Sequence, residues 1–314
     1  MNEIIIGSRG SALALTQTNW VAEQIKRHNP SIRTRVEVIK TSGDKILDTP
    51  LSKIGDKGLF VKELEVALLE SCIDIAVHSM KDLPTDTPAG LCIAAVPERA
   101  EQCDVLVSAF AGLDDLPKEA RIGSGSLRRR AQISSYRRDL RMLELRGNLD
   151  TRLRKLDSGD YDAVILACAG LQRLGLGARV RQRLPFEICV PAIGQGALAI
   201  QARADDERVI SALAPVENAS ARAEITAERT LMAALDGGCQ TPIGGAAVAR
   251  DGQLKMWAMV ASIDGRIVIR REGTGPIDGP EELGRIVAHS LLQAGAREVL
   301  ESARTVAAGQ MGAA

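Results

Sequence analysis

ARIGSGSLRRRAQ, residues 120 to 132, decides how the chain reads. A short strand-like run, ARIGS, passes through Gly123-Ser124-Gly125-Ser126 into a helix expected from Ser126 to about Tyr136. A strand that turns through small residues into a helix is half of a βαβ unit, and its junction gathers backbone amides and hydroxyls where an anion sits. Arg128 and Arg129 fall in the first helical turn, where a cation opposes the helix dipole unless an anion compensates. Successive helical residues point about 100° apart, so Arg128 and Arg129 are expected to face a ligand and Arg130 to lie outside it.

Working outward, the same alternation repeats on both sides. Before it, strand-like runs at Glu3–Ile6, Arg35–Ile39, Ile73–Val77 and Leu91–Val96 alternate with helices over Ser11–His28 and in LFVKELEVALLES (59 to 71). Around it, DVLVS from Asp104, RMLEL (141 to 145) and DAVILA (162 to 167) alternate with helices over 126–136 and 148–156. VPAIGQGALAI (190 to 200) reads as a return into the first unit, giving two hinged α/β lobes with a cleft. From about Ala219 a long helix, three strand-like runs and one final helix, ELGRIVAHSLLQAGAREVL, suggest a small α+β domain, followed by a disordered tail, TVAAGQMGAA.

Composition sets limits. The chain has 314 residues, 40 basic and 40 acidic side chains and no net charge, so polyanion binding has to be local. Only two Trp, two Tyr and three Phe are present, too few to stack single-stranded bases, and no nucleic acid is expected as partner. No apolar run approaches a membrane span, and no export signal is read at the N-terminus, so a cytoplasmic protein is expected. The six cysteines form no CxxC pair or Cys/His cluster, so no metal site is indicated.

Between Arg121 and Arg154 lie ten arginines and three acids, without a lysine. Arginine pairs bidentately with carboxylates and phosphates where lysine acts as a point charge. Arg146 and Arg152 bracket a second strand-to-helix junction, LRGNLDTR, and Arg9 lies in a third, GSRGS. The P-loop and dinucleotide spacings are absent, so a small multicarboxylate fits at least as well as a phosphate. In VHSMKDLP (77 to 84), Asp82 is held at a strand exit and is able to stabilise a developing cation or shuttle a proton, while His78 reads as a core residue. Five cysteines sit in packing context; Cys239, in LDGGCQTPIGG, belongs on a turn with an accessible sulfur, a covalent attachment point or a nucleophile.

These motifs in this order, with LDTPLSKIGDKGLFVKELE before them and IGQGALAI between, resemble the porphobilinogen deaminase (hydroxymethylbilane synthase) family. The resemblance implies two periplasmic-binding-protein-like lobes with doubly wound mixed sheets, plus a small α+β C-terminal domain. Domain 1 would comprise residues 1–98 and 196–216, domain 2 residues 99–195, and domain 3 residues 217–314. It implies a transferase that joins four porphobilinogen molecules head to tail with loss of ammonia and releases a linear tetrapyrrole. The primer is a dipyrromethane cofactor held by thioether linkage, here at Cys239. Asp82 matches the catalytic carboxylate. Arg9, Ser126, Arg128, Arg129, Arg146, Arg152 and Arg173 match contacts to cofactor and substrate carboxylates, with Gln17 and Lys81 in support. Lys53 and Lys57 match a lid loop (Thr41 to Gly58), and Phe60 an aromatic near the cofactor. The family suggests a monomer and needs no metal.

Where members commonly read Asp-Pro-Arg-Asp, this chain has Glu101-Gln102-Cys103-Asp104, so a loss of inter-lobe ion pairing is expected there. A non-catalytic solute-binding module for a polyanion is the alternative, and it leaves Cys239 unexplained.

Overall fold

The computed structural model describes residues 3–42, 61–236 and 241–312. The described residues form two compact units, one of 3–42, 61–100 and 196–222, the other of 101–195, 223–236 and 241–312.

The first unit opens with β1 (Glu3–Ser8), α1 (Ala12–His28), β2 (Arg33–Val38), α2 (Lys62–Leu69), β3 (Ile75–Ser79) and β4 (Leu91–Ala95). The second begins with β5 (Asp104–Ser108), β6 (Arg121–Gly123), α3 (Leu127–Tyr136), β7 (Arg141–Leu143), α4 (Leu149–Asp157), β8 (Ala163–Ala167), α5 (Cys168–Arg173) and β9 (Gln182–Arg183). The chain then re-enters the first unit as β10 (Leu198–Arg203) and α6 (Glu207–Leu213). It ends with α7 (Ala219–Ala234), β11 (Ile243–Arg250), β12 (Gln253–Ala261), β13 (Val268–Pro276), α8 (Pro280–Gln293) and α9 (Ala296–Gly312).

The first sheet has the order β2-β1-β3-β10-β4, with β1 parallel to both neighbours and β10 antiparallel to both of its own. Its faces are separately covered. Ile4, Ile6, Ile75 and Val77 pack on Val21 and Ile25 of α1 and on Val209 and Leu213 of α6. Ile73 and Ala76 pack on Leu64 and Leu68 of α2.

The second sheet repeats the arrangement as β7-β6-β8-β5-β9, with β6 parallel to β7 and β8, and β5 antiparallel to β8 and β9. Every residue of β5 is buried, as its apolar centre Val105-Leu106-Val107 requires of a strand covered on both faces. Leu106 and Ile165 face Ile133 of α3, while Val105, Val107, Val164 and Leu166 face Leu153 of α4 and Leu171 of α5. Each such side chain contributes roughly 1.5–3 kcal/mol on burial. The third sheet, β11-β12-β13, is an antiparallel meander whose core residues pack on α7, α8 and α9.

The α/β class with two doubly wound mixed sheets and a small α+β C-terminal part therefore stands. Two details differ. The single final helix expected over residues 282–300 is two, because the chain breaks at Gly295, whose φ of 92° lies in the left-handed region that glycine adopts freely. The tail expected to be disordered is helical through Gly312. Among the described residues, no helix is long and apolar enough to cross a membrane.

Candidate active site

In the first unit, parallel β1 and β3 are neighbours, so their C-terminal ends leave the sheet at one edge. β1 runs through Arg9 and Gly10 to Ser11, which caps α1 by accepting from the Ala14 amide at 3.3 Å. β3 ends at Ser79 and passes into a 3-10 turn, Met80–Asp82. These two exits line one pocket with Arg9, Ser11, Gln17, His78, Ser79 and Asp82. Gln17 is buried and exchanges hydrogen bonds with the Ser79 hydroxyl, donating from Nε2 at 3.1 Å and accepting at Oε1 at 3.3 Å. That contact ties α1 to the end of β3 and fixes where the turn begins. Asp82 is exposed on the turn, and Lys81 half-buried beside it.

His78 is 5% exposed, the core residue that the sequence suggests. Burial pulls its pKa down to about 4, a hydrogen bond with Gln201 partly offsets this, and the Arg9 charge lowers it further. The imidazole is therefore neutral beside Asp82.

In the second unit, β6, β7 and β8 run parallel, so the loops after them share an edge. The Ser124 amide donates to the Leu143 carbonyl at 3.0 Å, joining GSGS to the end of β7. A Cβ on Gly125 would stand 2.7 Å from the Leu145 carbonyl oxygen, so the two loops meet backbone to backbone. Ser126 caps α3 by accepting from the Arg129 amide at 3.4 Å, and Asn148 caps α4 by accepting from Thr151 at 2.9 Å. Gly147 turns the chain between β7 and α4 at a φ of 108°.

Arg146, Arg152 and Arg173 are half-buried around these loops. Arg146 is paired to Glu144 at 2.6 Å, and Arg152 Nε donates to the Gly147 carbonyl at 2.9 Å. Desolvation lowers the pKa of Arg173 to about 10.

Arg128 and Arg129 depart from expectation. Both are buried and turned onto Asp104 instead of facing outward. Arg128 Nη1 donates to Asp104 Oδ2 at 2.7 Å and to the Val190 carbonyl at 2.5 Å. Arg129 donates to Asp104 Oδ1 from Nε at 2.9 Å and from Nη2 at 2.7 Å, and Nη1 reaches the Ile165 carbonyl at 3.1 Å. Gln195 Nε2 adds a bond to Oδ1 at 2.9 Å. Burial alone would raise the pKa of Asp104, but the two guanidinium charges hold its carboxyl well below the usual range. The anion that the helix dipole demands beside these arginines is thus the chain's own Asp104. In the sequence Asp104 reads as a strand start and as the end of Glu101-Gln102-Cys103-Asp104, although a charge at the head of a buried strand has to find a partner.

Two more arginines of the run are committed as well. Arg121 pairs with Asp162 at 3.0 Å, and Arg137 with Asp139 at 2.7 Å. Cys103, Cys168 and Cys189 pack as expected, but Cys72 is exposed on the turn after α2. Lys53, Lys57, Phe60 and Cys239 lie outside the described residues.

The donor set suits a ligand rich in carboxylates. At the second unit's edge stand arginines, capped helix N-termini and hydroxyls, with Glu144 as the acid already paired there. That is what the propionate and acetate groups of a dipyrromethane require.

Two family models match, "Porphobilinogen deaminase, dipyromethane cofactor binding domain" over residues 4–211 and "Porphobilinogen deaminase, C-terminal domain" over residues 222–293. The chain is 50% identical over 303 residues to a porphobilinogen deaminase of Desulforudis audaxviator, covering 96% of this chain and 98% of that one. It is 47% identical to one of Desulforamulus reducens, over 96% and 98%, and 49% identical to one of Carboxydothermus hydrogenoformans, over 96% and 97%. Among solved structures, a TRAP periplasmic solute binding protein from Desulfovibrio salexigens covers 68% of this chain and 72% of its own at 9% identity, with a TM-score of 0.42, a likeness too loose to argue from. The chain belongs to the porphobilinogen deaminase family.

Proposed function

We propose that this chain is a hydroxymethylbilane synthase, joining four porphobilinogen molecules head to tail with loss of ammonia and releasing the linear tetrapyrrole by hydrolysis. The observation that carries the reading is half identity to a named porphobilinogen deaminase along 96% of the chain. It works as a monomer in the cytoplasm, organised in three domains of residues 1–98 with 196–216, 99–195 and 217–314. A dipyrromethane on Cys239, once bound, supplies the terminal ring onto which substrate is joined.

Asp82 is the catalytic carboxylate. Loss of ammonia from porphobilinogen leaves a cationic methylene carbon conjugated to the pyrrole. Asp82 accepts a hydrogen bond from the pyrrole N–H and stabilises that charge as it develops. In its acid form Asp82 passes a proton to the departing amine, stabilises the cation as the carboxylate so formed, and takes a proton back from the coupled ring carbon, so the acid form is restored. Gln17 and Ser79 set the start of its turn, and Lys81 steadies the turn beside it.

The arginines divide by what they hold. The Arg146–Glu144 pair is partly exposed, and such pairs contribute at most about 1 kcal/mol, so a ligand carboxylate exchanges into it readily. Arg9, Arg152 and Arg173 take the same role, with the Ser126 hydroxyl as a further donor. Arg128 and Arg129 do not exchange: their bonds to Asp104 are buried, and they position the GSGS loop from beneath. Lys53, Lys57 and Phe60, which the resemblance assigns to the lid and to the cofactor's surroundings, lie outside the described residues.

Intact mass tests the reading. The purified protein is expected to exceed its sequence mass by one dipyrromethane, and Cys239→Ala to match its sequence. A wild-type chain at its unmodified mass that gained nothing from porphobilinogen would leave the solute-binding alternative in its place. Asp82→Asn is expected to keep the adduct and lose at least about 100-fold in turnover; near-normal turnover would take Asp82 out of the mechanism.

A further inference from the structure

The second unit carries a cluster of sulfur and oxygen donors that the mechanism does not use. β5 and β8 are antiparallel, with Asp104 opposite Ala167, so the register sets Cys103 against Cys168. The Cys168 amide donates to the Cys103 carbonyl at 3.1 Å. Both thiols reach one carboxylate: Cys103 Sγ lies 3.3 Å from Glu101 Oε1, and Cys168 Sγ 3.2 Å from Oε2. One donor atom from each of the three residues lies within 4.8 Å of the others.

A tetrahedral zinc ion has Zn–S bonds of about 2.3 Å and Zn–O bonds of about 2.0–2.2 Å, which sets neighbouring sulfur and oxygen ligands roughly 3.5 Å apart. The thiol-to-carboxylate spacings here are within a few tenths of an ångström of that. We propose that Glu101, Cys103 and Cys168 form a binding site for a thiophilic divalent cation of the zinc class.

The charges and protons balance. The ion displaces one proton from each thiol to solvent, and two S–H bonds give way to two metal–sulfur bonds. Two thiolates and a carboxylate against a dication leave one negative charge. Arg183 offsets it, its Nε 2.6 Å from Glu101 Oε1. Gln172 Nε2 donates to Oε2 at 2.9 Å and orients the carboxylate from the other side. Cys103 and Cys168 are buried, whereas the Glu101 side chain is 33% exposed and gives the ion a way in, with room for water as a fourth ligand. Two sulfur ligands select against magnesium and calcium, which take oxygen. Occupancy would brace the start of β5, one residue before the Asp104 that holds Arg128 and Arg129.

The test uses the holoenzyme, fully reduced, with exposed Cys72 replaced by Ala so that its thiol does not compete. Cadmium is titrated and followed by its thiolate charge-transfer absorbance. One equivalent is expected to saturate a band of two-thiolate intensity, zinc to abolish it stoichiometrically, and magnesium to leave it unchanged. Cys103→Ser and Cys168→Ser are each expected to cut the band to half or less. Glu101→Gln keeps both sulfurs and is expected to weaken binding at least tenfold, a readout that survives if a serine variant does not fold. No saturable band at one equivalent, a band indifferent to both serine substitutions, or an unchanged affinity in Glu101→Gln would each overturn the proposal.

Discussion

Replacing Asp104 by Asn would leave two buried guanidiniums, Arg128 and Arg129, facing a neutral amide. Removing one partner of a buried ion pair costs about 3–5 kcal/mol, so Asp104→Asn is expected to lose that much stability in urea unfolding. Glu144→Gln, which breaks a partly exposed pair, is expected to lose less than about 1 kcal/mol; equal losses would mean that burial does not govern these pairs. His78 gives a second prediction at the scale of one residue. Its pKa is 6.5 in the unfolded chain and about 4 in the fold. Below pH 6.5 the unfolded state takes up a proton that the folded state refuses, so stability falls as the solution is acidified and the loss is complete near pH 4. The full contribution is about 3 kcal/mol. The urea midpoint of the wild type should therefore drop between pH 7 and pH 5, and His78→Gln should flatten that slope; an unchanged slope would assign the dependence elsewhere.

The elements that carry the site are short, and their ends decide their geometry. α4 starts at the Asn148 cap, immediately after Gly147 in the left-handed region. Asn148→Ala removes one cap and is expected to cost about 1 kcal/mol. Gly147→Ala is expected to cost more, because a Cβ there would stand 2.6 Å from Thr151 Cγ2 and the backbone would be strained as well. Comparing the two melting temperatures checks the order, and the reverse order would show that the cap, and not the turn, sets the helix start. These junctions were legible because a strand, a small-residue turn, a capping residue and a helix are consecutive in the chain. α5, β9 and α6 were not anticipated: Gln182–Arg183 has no pattern of its own and is a strand only because β5 offers an edge.

At the scale of the whole molecule, the arginine run is less cationic than its composition suggests. Asp104 and Asp162 reach into it from outside, and the chain as a whole carries no net charge. It is therefore expected to show no retention on duplex or single-stranded DNA at low salt; binding that weakened steeply with added salt would contradict this. The sequence by itself determined the α/β alternation, the three strand-to-helix junctions bearing Arg9, Arg128 and Arg146, the position of Asp82 at a strand exit, and the resemblance that the family models bear out. All of these depend on residues close together in the chain, where period, turn chemistry and capping act. Only the tertiary structure decided which arginines are spoken for and which cysteines meet. Antiparallel pairing of β5 with β8 sets Cys103 against Cys168 and stations Asp104 under α3. No local pattern encodes a contact made by two strands whose pairing is chosen by the burial of both faces of a sheet.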